Sequence, residues 1–374
     1  LSPLFLIGPL AVGGISALLA AIIAIVDAVV NNYGECRIDI NDSQKVLSVR
    51  GGMPLLASLA GERIFLPSAC GGRGSCGVCK VKVKSDVGPV LPTELPYLSD
   101  DEKQTGIRLS CQVKVKSDLA IEIPEELFNI QEIEGVVESI KNLTYDIKEV
   151  RIRLVNPQEI SFKAGQYAQL EAQPYGKVKD PTQRAYSMSS APSDKDHLEF
   201  FIRLVPGGIV TTFVFEELKE NDKIRLIGPI GEFHMRDTDA LKICVAGGSG
   251  MAPIKSILYN MYETGDTDKE VWFFFGARTR EDLFCIEEME ELQRKCSGFH
   301  FVSALSEPKP EDRWNGEVGL ITDVLDRYFK EKIKADGLPM EGYLCGSPGL
   351  IDACITVMKS NGITEEKIYY DKFA

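Results

Sequence analysis

The sequence predicts a membrane-anchored multidomain chain: a single N-terminal transmembrane helix, a small β-rich module, an antiparallel β-barrel and an α/β module built on a parallel sheet. Three observations predict it. Residues 3–26 are an uncharged, largely apolar run. Three cysteines share one glycine-rich loop, with a fourth downstream. The second half passes from short, punctuated strands to strands alternating with helices. The expected boundaries are 1–33 for the anchor and linker, 34–128, 129–236 and 237–374. At about 100–200 residues per domain, 374 residues accommodate this division.

The composition, 44% apolar and 26% charged, is that of a globular protein and excludes a disordered or collagen-like chain. A net charge of −13 and a pI near 5.0 argue against nucleic acid as a partner. The mean hydropathy of −0.05 averages a greasy end with a polar body, since Asp27 is the single charge in the first 33 residues. Residues 34–128 carry 12 basic and 13 acidic side chains, so the acidity belongs to the two later modules.

As a helix, the 24 residues of the apolar run reach about 36 Å, enough for a hydrocarbon core of about 30 Å. Small residues such as Gly13, Gly14, Ser16 and Ala17 suit close helix packing in lipid. The missing basic n-region and the length of the run argue against a cleaved secretory peptide. Arg37 and Lys45 follow the run and no basic residue precedes it, which places the soluble modules on the cytoplasmic side. The expected location is the cell inner membrane, contacted by residues 3–30 in a single pass.

In the next module, Cys70, Cys76 and Cys79 stand in C-x5-C-x2-C, and Cys111 follows in LSCQVKV. Four thiolates are what a [2Fe–2S] cluster requires. Gly71, Gly72, Gly74 and Gly77 allow the loop to wrap a cluster closely. A structural zinc site is the competing assignment, but it normally uses two separated C-x2-C pairs. CRIDI, KVLSV and the two VKVKS stretches read as strands, and MPLLASLAGE as a short helix. The module resembles the β-grasp ferredoxins.

From residue 129, EGVVESI, IKEVRIRLV, GQYAQLEA, LEFFIRLV and DKIRLIGPI suggest an antiparallel barrel. Within it lie Arg184-Ala185-Tyr186-Ser187 and, some twenty residues on, PGGIVTTF with Gly207, Gly208 and Thr211. A tyrosine offers a flat face to an isoalloxazine ring, an arginine fork suits pyrophosphate, and a glycine turn into a helix offers free N–H groups. This chemistry fits a flavin dinucleotide.

The last module opens with LKICVAGGSGMAPIKS, a buried strand, a turn of Gly247, Gly248 and Gly250, and a helix with Pro253 near its start. VWFFFGART, GFHFVSAL and GYLCGSPG supply further strands. Parallel sheets of this kind bind nucleotides at the carboxyl ends of their strands. The turn is not G-x-G-x-x-G, so it is a weak match to that fingerprint. Glu281 and Asp282 would suit a ribose 2′-hydroxyl, whereas Arg278 and Arg280 would grip a 2′-phosphate. Cys36, Cys244, Cys285, Cys296 and Cys354 show no ligand spacing and read as ordinary thiols.

R-A-Y-S, G-G-S-G-M-A-P, C-G-S-P and a C-terminal aromatic, in this order, resemble the ferredoxin–NADP⁺ reductase superfamily with a fused N-terminal ferredoxin. With the preceding apolar run, LPTEL, RLSCQV, GPIGEF and YYDKFA, the chain most closely resembles the F-subunit family of Na⁺-translocating NADH:quinone oxidoreductases. The family commonly has a longer segment before R-x-Y-S than the PYGKVKDPTQ found here. The resemblance implies FAD held by Arg184, Tyr186, Ser187, Gly207, Gly208 and Thr211, with Phe373 covering the flavin face. It implies NADH held by Gly247, Gly248, Gly250, Pro253, Gly276, Cys345 and Gly346, and a hydride-transfer site lined by Ser187, Cys345 and Asp371. The implied function is electron input to a membrane redox complex, with other membrane subunits as partners and quinone as the eventual acceptor. The alternative is the reductase of a membrane-bound oxygenase or of another terminal reductase.

Overall fold

The computed structural model describes residues 13–22, 33–68, 70–124, 127, 130–267, 269–334 and 337–372. They fall into two compact units, Leu1–Phe128 and Asn129–Ala374. Residues 13–22 form helix α1, on which Ile15, Leu18, Leu19 and Ile22, spaced as one helical stripe, are exposed. Among the described residues no helix is long and apolar enough to cross a membrane. The rest of the expected span, 3–12 and 23–26, lies outside the described residues.

The first unit contains β1 (Glu35–Ile40), β2 (Lys45–Arg50), helix α2 (Leu55–Gly61), β3 (Lys80–Val83), helix α3 (Asp100–Gln104), β4 (Ile107–Leu109) and β5 (Leu119–Glu122). The sheet order is β2-β1-β5-β3-β4, with β1 and β5 parallel and the other pairs antiparallel. Alternation in ECRIDI and KVKV sends Cys36, Ile38, Ile40, Val81 and Val83 to one buried face. Leu55 and Leu59 of α2 pack into that face, giving a sheet wrapped around one helix. A reciprocal cap between Ser99 and Glu102 starts α3, and Lys80 binds Glu102 at 2.6 Å.

The second VKVKS stretch, expected as a strand, is not one. Its chain is extended, but it spends its hydrogen bonds on the turn before α2: Val115 N donates to Met53 O, and Gly52 N to Val115 O. Val113 and Val115 are buried there, and the strand that follows is β5. Period-two alternation reported burial correctly but not the hydrogen-bonding partner.

A buried ion pair fixes the loop before α3. Glu94 is fully buried; it accepts from Arg108 Nε and Nη2 and from the backbone N–H groups of Leu91 and Leu109. Burial alone would raise the Glu94 pKa, but Arg108 and the two N–H groups outweigh it and hold the carboxyl below its ordinary value. The unfolded chain therefore takes up this proton at higher pH. The contribution is complete above the ordinary carboxylate range and is lost as pH falls through the folded value. Glu94→Ala leaves Arg108 buried without its partner and is expected to cost about 3–5 kcal/mol, read as denaturant unfolding of the first unit in the full chain. A loss near zero would show that the loop is held by packing alone.

The second unit begins with six antiparallel strands: β6 (Gln131–Asn142), β7 (Ile147–Asn156), β8 (Tyr167–Ala172), β9 (Thr182–Ser187), β10 (His197–Arg203) and β11 (Lys223–Ile230). Their order is β10-β7-β6-β11-β8-β9. A bridge between Met188 and Phe200, with Ser189 N donating to Glu199 O, joins the two ends and closes the barrel. Ile133, Val150, Leu170, Phe200 and Leu226 fill its interior. Helix α4 (Ile209–Thr212) follows β10.

A six-stranded parallel sheet comes next: β12 (Leu241–Gly247), β13 (Val271–Ala277), β14 (Phe299–Leu305), β15 (Glu317–Val318), β16 (Met340–Gly346) and β17 (Ile368–Lys372), ordered β15-β14-β13-β12-β16-β17. The connecting helices are α5 (Met251–Thr264), α6 (Ile286–Lys295), α7 (Ile321–Glu331) and α8 (Pro348–Ser360). Near-continuous apolar runs such as VWFFFGA are buried on both faces, as parallel strands require. Helix α5 ties sheet to barrel: Lys255 reaches Glu199 at 3.0 Å, and Ser256 Oγ donates to Ser190 O at 2.6 Å.

Candidate functional site

In the first unit the four cysteines form two pairs. Cys79 and Cys111 Sγ atoms lie 3.3 Å apart, both buried, while Cys70 and Cys76 interact with one another near the surface. The loop achieves this with left-handed residues. At Gly77 (φ +69) a Cβ would meet the Tyr97 ring at 2.7 Å, so the loop can close only without a side chain there.

Backbone N–H groups of Arg73 and Ser75 face Cys70, and that of Gly74 faces Cys111. Burial opposes ionisation of Cys70, but these donors and Cys76 bring it down to about 7. The Cys79 thiol, helped by Gln112, brings Cys111 down to about 6. A tetrahedral zinc site would hold its sulfurs about 3.8 Å apart, given a Zn–S length of about 2.3 Å. Among the described residues no three of these sulfurs lie within 4.8 Å of one another. Two thiol pairs with N–H donors fit the two irons of a [2Fe–2S] cluster.

In the second unit β9 carries Arg184, Tyr186 and Ser187. Arg184 Nη1 donates to Gln183 O, and burial raises the Tyr186 pKa, keeping its hydroxyl protonated. Gly207 and Gly208 lead into α4, and Thr211 is buried with its hydroxyl accepting from Val205 N and donating to Val205 O. The Thr211 side chain thus closes the turn. Phe373 lies outside the described residues.

Ser187, Cys345 and Asp371 converge although they are far apart in sequence. Register in the parallel sheet sets Cys345 opposite Asp371, and Ser187 Oγ donates to Asp371 Oδ2 at 3.4 Å. Burial pushes Asp371 above the usual carboxylate range, against the opposing donation from Ser187. Burial, reinforced by Asp371, raises the Cys345 thiol well above its ordinary value.

Gly247 ends β12 and Gly248 and Gly250 follow it, Gly276 is the last residue but one of β13, and Gly346 ends β16, so all lie at the carboxyl ends of adjacent parallel strands. Pro253 is buried in the first turn of α5. A Cβ on Gly250 would lie 2.2 Å from Cys345 O, and one on Gly276 would lie 2.7 Å from Ile321 Cβ.

Two features were not legible in the sequence. Arg203, at the end of β10, is held by Asp146 at 2.7 Å and brings its guanidinium within 3.4 Å of where a Gly248 Cβ would sit. A lone arginine ending a barrel strand carries no motif. Asp282 accepts from Thr279 N and Oγ1, both at 2.8 Å, and so caps its own turn, while Arg278 is paired with Glu307 at 2.9 Å.

Three domain families match the chain: the 2Fe-2S iron-sulfur cluster binding domain over residues 38–116, the oxidoreductase FAD-binding domain over 134–235 and the oxidoreductase NAD-binding domain over 244–355. The fold is shared with the cytochrome P450 reductase GcoB of Amycolatopsis, with a TM-score of 0.71, 24% identity, and coverage of 90% of this chain and 98% of that one. The ferredoxin reductase in carbazole 1,9a-dioxygenase has a TM-score of 0.68 and 27% identity, covering 91% and 99% respectively. These matches and the paired cysteines define an oxidoreductase with FAD, NAD and [2Fe–2S] binding domains.

Full-length relatives narrow the class. The F-subunit of the Na⁺-translocating NADH-quinone reductase from Mannheimia succiniciproducens is 36% identical over 406 aligned positions, covering 99% of this chain and 98% of the relative. That from Idiomarina loihiensis is 36% identical, with 95% of each chain covered. The chain belongs to the F-subunit family of Na⁺-translocating NADH-quinone reductases.

Proposed function

We propose that the chain is the electron-input component of a membrane redox complex, oxidising NADH and delivering electrons through FAD and a [2Fe–2S] cluster to a membrane partner and ultimately quinone. The observation that carries this reading is the presence in one chain of both the four-cysteine loop and the convergence of Ser187, Cys345 and Asp371 on the nucleotide-binding sheet. When bound, FAD takes up an electron pair as hydride and the cluster carries electrons one at a time. The protein's own part is placement. Arg184, Tyr186 and the Gly207–Gly208 turn hold the flavin, Ser187 and Asp371 can hold a proton beside it, and the glycine turn with Arg203 holds the dinucleotide.

The preferred dinucleotide is NADH. Arg278 is already neutralised by Glu307, so a 2′-phosphate would have to displace a carboxylate. Glu307→Gln frees the guanidinium and is expected to shift the ratio of kcat/KM for NADPH over NADH upward by about tenfold. An unchanged ratio would remove this pair from the selectivity.

The anchor reading is that residues 3–26 cross the inner membrane once, with the soluble modules cytoplasmic. The uncharged run and the exposed stripe on α1 support it. A single helix cannot enclose an ion pathway, so Na⁺ translocation would belong to partner subunits. A chain starting at Gly34 is expected to keep NADH oxidation with an artificial acceptor and to lose membrane association and quinone reduction. Loss of both activities would break the modular scheme. The second reading, a reductase for a membrane-bound oxygenase, is favoured by the likeness to the carbazole dioxygenase reductase. Subunits co-purifying from native membranes, with Na⁺ dependence of their quinone reduction, separate the two.

A further inference from the structure

The loop around Glu94 reaches the cysteine loop through a two-step contact. Glu94, locked by Arg108 and the backbone, sets Thr93 beside Gln112, and Thr93 Oγ1 donates to Gln112 Oε1 at 2.9 Å. With its oxygen held, the Gln112 amide turns Nε2 to Cys111 Sγ at 3.5 Å. The reverse orientation would set a carbonyl oxygen against a thiolate, two acceptors facing each other. Gly74, with φ +75, makes room: a Cβ there would lie 2.6 Å from Gln112 Nε2.

We infer that Gln112, oriented by Thr93, is a positioning residue that acts through Cys111 to raise the reduction potential of the cluster. The inference rests on reading Cys70, Cys76, Cys79 and Cys111 as the cluster ligands. Reduction adds one electron and so one unit of negative charge, part of which resides on the thiolate sulfurs. An N–H donor at Cys111 Sγ stabilises that charge more in the reduced form than in the oxidised form. Thr93 contributes by preventing the amide from rotating away.

The test is a redox titration of the full-length, cofactor-loaded protein, followed by the electron paramagnetic resonance of the reduced cluster. Gln112→Met is expected to disfavour cluster reduction by about tenfold, a 59 mV fall for a one-electron couple. Thr93→Val should lower the potential by a smaller amount, and Thr93→Ser, which keeps the hydroxyl, should match the parent. A Gln112→Met protein with an intact signal and an unmoved potential overturns the inference. If that variant loses its cluster, coincidence of Thr93→Val with Thr93→Ser overturns it instead. A parent protein without the resonance would overturn the cluster assignment itself.

Discussion

Cys111→Ser is expected to remove the visible cluster absorbance and to lower NADH-driven reduction of the membrane acceptor by about 100-fold or more, while NADH oxidation with a two-electron dye should stay within about twofold of the parent. The asymmetry follows from where the residue sits. Cys111 is one half of the buried pair with Cys79, and its loss leaves a single sulfur where an iron requires two. Serine adds no bulk, so Leu98 and Leu109 around the position are not pushed apart. The residues proposed for NADH oxidation belong to the other compact unit and contain none of these thiols. Full retention of the cluster absorbance would sink the ligand assignment, and equal loss of both activities would sink the division of labour.

Gly250→Ala has the opposite profile. The new methyl would lie 2.2 Å from Cys345 O and 2.6 Å from its carbonyl carbon, both backbone atoms that cannot swing aside. The turn after β12 must move by about an ångström relative to the end of β16, a displacement that can cost about 100-fold when reacting groups are misaligned. The expected result is a fall of that order in kcat/KM for NADH at unchanged FAD and cluster content. Gly349→Ala, whose methyl would meet nothing within 4 Å, should behave as the parent. Parent-like kinetics in Gly250→Ala would place the dinucleotide elsewhere.

Much of this architecture was legible in the residues because the strongest signals are local. The C-x5-C-x2-C spacing, the glycines between the cysteines and the strand–turn–helix of LKICVAGGSG each lie within one short segment. The limits are equally physical. The second VKVKS alternates like a strand, yet its hydrogen bonds go to the turn at residues 52–53. The approach of Arg203 to Gly248 crosses from barrel to sheet and leaves no trace in either segment. Asp282 reads as available for a ribose, and the structure adds a second engagement: its Oδ2 caps its own turn through Thr279.

The burial that isolates most of the thiols also bears on damage. Stray electrons from a flavoprotein reduce oxygen, and the resulting peroxide attacks thiolates rather than thiols. Burial keeps Cys244 and Cys354, both raised to about 12, and Cys345 protonated. The vulnerable sulfur is therefore Cys70 of the cluster loop, which neighbouring donors bring down to about 7 and which is partly exposed. With iron bound, Cys70 would be a metal ligand and no longer a free thiolate. A newly made chain awaiting iron is the form most open to oxidation, so cluster delivery also acts as protection during assembly.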